Sequence, residues 1–158
     1  MREILDGKDV EILKIIQEDC HIAAREISNR TDTPVTTVFA KIKRMERLGI
    51  VKGYRAVLDS TKLDMGTTAF VLGSFAYRGE GGKVLSQREV AKQIAGFPEV
   101  QEVHIISGDW DILMKVKERD VESIGKFVVD KLRLVKGVEK TLTCLVFESE
   151  KETTTIPL

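Results

Sequence analysis

The sequence predicts an α+β chain in two parts, a head of three short helices followed by a β-α-β-β-α-β body. Three observations predict it. Apolar residues recur at helical spacing through the first fifty residues, with a turn before Pro34. Positive charge concentrates in residues 33–55. Beyond residue 60, β-branched runs alternate with helical segments that carry capping residues and terminal glycines. The boundary is placed near residue 60, giving a head of residues 1–60 and a body of residues 61–158.

In the head, residues 9–17 place Ile12, Leu13, Ile15 and Ile16 on one side of a helix. Residues 23–30 read as a second helix with Ala23, Ala24 and Ile27 inward. Thr33 is expected to cap a third helix with Pro34 at its first position, and Gly49 to end it. Val38, Ile42 and Met45 face the core of that helix. Its other side offers Thr36, Ala40, Lys43, Arg44 and Arg47, flanked by Thr37 and Phe39. Residues 50–59 have strand character, so the head reads as a helix-turn-helix or winged helix-turn-helix with a hinge strand.

In the body, residues 67–77 form the first strand and residues 86–96 a helix with Ser86 and Glu89 as a capping pair. Residues 100–106 and 110–117 form a hairpin about Ser107, Gly108 and Asp109. Asp120 caps a helix over residues 121–135 with Ile124, Phe127, Val128 and Leu132 inward. Residues 138–148 form the last strand, and residues 153–158 are expected to add a short edge. This is the ferredoxin-like order, with both helices on one face of a four-stranded sheet. The other face lacks a partner in the chain, which points to a homodimer.

Lys+Arg and Asp+Glu both number 25, a balance that by itself argues against a nucleic-acid binder. The distribution argues the other way. Residues 33–55 hold Lys41, Lys43, Arg44, Arg47, Lys52 and Arg55 against Glu46 alone, while the segments on either side are net negative. A basic run on a helix is more often a solvated face than a binding site. Here it falls on the second helix of a helix-turn-helix, where short side chains admit the helix to the major groove of double-stranded DNA and cations reach the phosphates. Thr36, Thr37 and Ala40 are expected to face bases. Lys41, Lys43, Arg44 and Arg47 are expected to project outward to phosphates.

Other chemistries find little support. Cys20 and Cys144 are too few for a disulfide framework or a zinc site, and are expected to be buried thiols in a reducing cytoplasm. His21 and His104 fall in different parts of the chain without convergent acids or bases, so neither a metal, a cofactor nor a catalytic centre is expected. The loop before Val84 carries Gly82 and Lys83, but Tyr77 stands where a phosphate loop needs its first Gly. No apolar run is long enough to span a bilayer and no secretory leader is visible, so a cytoplasmic protein with no membrane association is expected.

Taken in order along nearly the whole chain, several motifs resemble the Lrp/AsnC, or feast/famine, transcription regulators. They are Asp9-Val10-Glu11-Ile12-Leu13 with Gln17-Glu18-Asp19, Val38 with Lys41-Ile42-Lys43-Arg44-Met45-Glu46, and Gly49-Ile50-Val51-Lys52-Gly53-Tyr54. Phe97-Pro98-Glu99-Val100, Gly108-Asp109-Trp110-Asp111, Gly137-Val138, and Lys151-Glu152-Thr153 with Ile156-Pro157-Leu158 continue the likeness. Lys41 stands where the family often has Arg, Trp110 where Tyr is common, and the loop at 78–85 is somewhat long.

The resemblance implies a DNA-binding head joined by a hinge to a RAM-type effector domain, and dimers that assemble into tetramers or octamers. It also implies a small-molecule effector, commonly an amino acid, near Gly108, Asp109, Trp110 and Asp111. Thr141 and Thr143 match positions near that pocket, and His104 is a further candidate. Asp109 or Asp111 would accept from an α-ammonium group, although Asp and Gly are favoured in a hairpin turn in any case. Two other readings stand beside a DNA-binding regulator: an amino-acid sensor acting on protein partners, and an enzyme akin to the haem-pathway decarboxylases that resemble this family in fold.

Overall fold

The computed structural model describes residues 5–78, 82 and 84–158. The chain forms two compact units: one holds the chain up to Val57 together with Lys151–Leu158, the other holds Leu58–Glu150.

The first unit is built on three helices, α1 (Gly7–Glu18), α2 (Ala24–Thr31) and α3 (Val35–Arg47). Asp6 opens α1 through a reciprocal box: its carboxylate accepts from Asp9 N, and the Asp9 carboxylate accepts from Asp6 N, both at 2.9 Å. Ile12, Leu13, Ile27, Val38 and Met45 form the buried core, with Ile15, Ile16, Ala24 and Ile42 packed around it. The turn between α2 and α3 passes through Asp32 in the left-handed region (φ 47°), a conformation that Asp tolerates better than most residues.

Three expectations for this unit need correction. Thr33 does not cap α3: it is buried and its hydroxyl donates to Thr31 O at 3.0 Å, while Pro34 holds the cap position without a side-chain bond. Residues 50–59 join no ladder among the described residues, because β-branched character makes a strand only where another strand is at hand; Val51 packs on the core and Val57 is wholly exposed. Residues 153–158 add no edge strand. They lie with the first unit, where the Gln17 amide receives Ile156 N (2.8 Å) and donates to Ile156 O (3.3 Å).

The second unit is a four-stranded antiparallel sheet in the order β2-β3-β1-β4, with β1 (Thr67–Phe75), β2 (Val100–Ile105), β3 (Ile112–Glu118) and β4 (Val138–Leu145). Helix α4 (Gln87–Ala95) follows a Ser86 cap whose hydroxyl accepts from Glu89 N. Helix α5 (Val121–Lys126) follows Asp120, whose carboxylate accepts from Ser123 N at 2.7 Å; that bond holds the Asp120 carboxyl below the usual range. The expected single helix over 121–135 instead widens to a π turn (Phe127–Lys131) and tightens to a 3-10 turn (Leu132–Leu134), still burying Ile124, Phe127, Val128 and Leu132.

Both helices pack on the face formed by Ala69, Val71, Phe75, Ile112, Met114 and Val116. Alternation along the strands puts Phe70, Leu72, Leu113, Leu142 and Cys144 on the opposite face, where Phe70 and Leu142 are exposed. Cys144 is therefore exposed and Cys20 half-buried, not the two buried thiols expected. Of the loop at 78–85, residues 79–81 and 83 lie outside the described residues; Arg78 and Val84 form an isolated bridge.

Candidate DNA-binding face and effector site

Helix α3 presents its residues in two directions. Thr36, Ala40, Lys43 and Arg47 are exposed, and at about 100° per residue they fall on one stripe. Thr37 is half-buried beside it. Lys43 keeps its side chain 71% exposed while pairing with Glu46 at 2.7 Å. That cation, with the Tyr54 hydroxyl donating to Glu46 Oε1, holds the Glu46 carboxyl below its usual value.

Lys41 does not project outward as expected, and Arg44, with 40% of its side chain exposed, is bonded inward at its guanidinium. Lys41 stands only about 60° around the helix from buried Val38, and its ammonium turns to Asp6 and to Asp9 Oδ1 (3.2 Å). Arg44 Nη2 donates to Asp9 Oδ2 at 2.5 Å. Asp9 is fully buried. These cations tie the first turn of α1 to the middle and last turn of α3, and their Coulomb energy goes to the head's own integrity. The Lys41 contact holds the Asp6 carboxyl down to about 2, and the same partner raises Lys41.

Composition counts Lys41 and Arg44 with the other cations, because a tally of charge along the chain does not see acids thirty residues away. The signal for Asp6 and Asp9 was present as an Asp-x-x-Asp capping pattern before an apolar run.

In the second unit, Ile106 N donates to Asp111 O at 2.9 Å and closes the β2–β3 hairpin around residues 107–110. Gly108 takes φ 116°, a region L side chains avoid, and Asp109 is exposed beside it; Trp110 is half-buried. Asp111 is a structural residue. Its carboxylate accepts from Phe75 N at 2.8 Å, its amide donates to Gly73 O at 3.1 Å, and its carbonyl accepts from the Gln87 amide at 3.2 Å. The β1–β4 register shifts between Gly73 and Phe75, and the Asp111 carboxylate satisfies the amide at that shift. Gln87 had no signal in the sequence for this part.

Thr141 pairs with Gly73, itself opposite Ile112, so it lies at the same end of the sheet as the hairpin turn. Arg133 Nε donates to its hydroxyl at 3.4 Å. Thr143 is one pleat further from the turn and exposed. His104 is not brought to them: opposite Leu113, it stands on the face away from the helices and its ring meets Glu102 at 3.2 Å.

Comparison with known proteins follows the same division. Residues 5–52 match the winged helix-turn-helix DNA-binding family, and residues 80–156 match the Lrp/AsnC ligand binding domain. An uncharacterised HTH-type transcriptional regulator of Pyrococcus furiosus is 41% identical over 152 residues, covering 96% of this chain and 99% of its own.

The chain belongs to the Lrp/AsnC family of transcriptional regulators.

A second relative, the HTH-type transcriptional regulator FL11 of Pyrococcus horikoshii, is 34% identical over 158 residues and covers 100% of this chain and 99% of its own. Among solved structures, a transcriptional regulator of Neisseria meningitidis in complex with L-Met superposes with TM-score 0.88 at 28% identity, over 97% of this chain and 96% of that one. An AsnC family regulator of Agrobacterium tumefaciens gives 0.87 at 26% identity, over 97% of each chain. The chain is thus a transcriptional regulator of Lrp/AsnC type with a DNA-binding head and a ligand-binding domain. Among the described residues, no helix is long and apolar enough to cross a membrane.

Proposed function

We propose that the protein is a cytoplasmic, sequence-specific DNA-binding regulator whose α3 enters the major groove and whose effector is an amino acid. The exposed stripe Thr36–Ala40–Lys43–Arg47 carries the first half of this reading. Small side chains at the start of the stripe face bases with Thr37 beside them, and Lys43 and Arg47 reach phosphates. Lys43 exchanges Glu46 for a phosphate at little cost, since a solvent-screened ion pair on the surface contributes little. Lys41 and Arg44 hold the helix at its angle and take no direct phosphate role.

The effector half rests on the Gly108–Asp109 turn with Thr141 at the same sheet end, and on the L-Met bound to the Neisseria relative. Asp109 accepts from the ammonium group, Trp110 and Thr141 border the pocket, Thr143 lies behind them, and Asp111 shapes the turn. His104 is left out of the site. The open sheet face with Phe70, Leu72 and Leu142 supports a homodimer, on which tetramers or octamers are built. No catalytic step is assigned to any residue.

With Lys41 and Arg44 committed to Asp6 and Asp9, fewer cations remain for DNA, which favours as a second reading a sensor that acts on a protein partner. Fluorescence anisotropy with promoter duplexes separates the two: salt-sensitive binding supports the regulator, and its absence supports the sensor. A thermal-shift screen of the twenty amino acids tests the effector, with upward shifts expected for one or a few.

A further inference from the structure

Phe39 interrupts a polar helix face. It lies about 60° around α3 from Thr36, one turn before Lys43, and is 56% exposed. Its inner side walls a shallow cleft of about 230 Å³ together with Ile22, Ala24, Ile27 and Ile42. The ring thus borders that cleft on one side and faces solvent on the other, next to Thr36 and Lys43. We infer that Phe39 is a specificity-determining residue that recognises the C5-methyl group of a thymine in the major groove; this rests on the groove reading proposed above.

The chemistry narrows the choice. Guanine, cytosine and adenine present only donors and acceptors on their major-groove edges, whereas thymine adds a methyl group. A phenyl ring offers no partner to N7, O6 or N4, and covering those atoms strips their water without return. Against a methyl group the same ring removes apolar surface from water on both sides. Burial of one such carbon is worth a factor of about four in affinity.

The test uses the full-length protein and duplexes selected from a random-sequence library. In the selected duplex, each thymine is replaced in turn by deoxyuridine, which deletes the methyl and leaves the hydrogen-bonding edge intact. The expected result is a loss of about fourfold at one thymine per half-site for the wild type. Phe39→Ala, which removes the contact from both half-sites, binds the parent duplex about sixteenfold more weakly, fourfold per half-site, and loses nothing further at that position. Phe39→Leu keeps most of the discrimination, and serves if the alanine variant unfolds. Insensitivity of the wild type to every deoxyuridine overturns the inference while leaving the groove reading intact. Equal sensitivity in the wild type and in the Phe39 variants overturns it too, because another side chain then reads the methyl. Failure to enrich any duplex overturns both.

Discussion

Arg44 Nη2 donates to Asp9 Oδ2 across the head, linking a fully buried carboxylate in the first turn of α1 to the last turn of α3. With Lys41 on the other oxygen and Asp6 N completing the box, Asp9 satisfies its charge through three donors. The angle of α3 is thus set by electrostatics as well as by the packing of Ile12, Val38 and Met45.

Asp9→Asn should destabilise the head strongly. The amide turns an N–H donor toward Lys41 or Arg44 in a fully buried position that held a carboxylate, at a cost of about 3 kcal/mol or more. Chemical denaturation followed by a signal from the first unit checks this, and an unchanged midpoint would assign the fold to apolar packing alone.

The Asp6–Lys41 pair predicts an acid limb. The Asp6 carboxyl lies at about 2 in the folded protein against 3.8 ordinarily, so its contribution is complete above about pH 4 and fades as pH falls toward 2. Lys41, raised, contributes fully below its ordinary 10.5 and loses that only at more alkaline pH. Unfolding midpoints measured from pH 7 to 2 should fall more gently in Asp6→Asn than in the wild type below pH 4.

Asp109 and Asp111 stand two residues apart but should behave differently. Asp111→Ala leaves the Phe75 amide unpaired at the β1 register shift and costs about 2 kcal/mol of stability. Asp109→Ala, at an exposed turn, changes stability by less than about 0.5 kcal/mol and abolishes the thermal shift given by the active amino acid. Parallel melting curves with and without that amino acid distinguish the two roles.

Gly137 follows the second helical segment at φ 104°, and a Cβ built there would stand 3.0 Å from both Phe75 Cε2 and Val90 Cγ2. Gly137→Ala combines backbone strain with overpacking and should cost about 3 kcal/mol. Calorimetry of the variant checks it; a neutral substitution would mean that β4 and α4 part easily.

The layout of both units was legible because helix and strand periods differ and the caps were explicit: Ser86, Asp120 and Gly49 each stand at or next to the helix end they were read to mark. What was not legible depended on partners distant in sequence. Lys41 and Arg44 looked like free cations until Asp6 and Asp9 met them. His104 looked adjacent to the turn, but strand alternation sends it to the other face. Residues 50–59 have strand composition, and composition cannot supply a second strand.

The most direct test of the α3 face is the salt dependence of duplex binding in Lys43→Ala/Arg47→Ala. The slope of log affinity against log salt should fall in magnitude by about 0.9 for each phosphate contact removed, with the unfolding midpoint unchanged. An unaltered slope in a folded double variant would contradict the placement of DNA on this stripe.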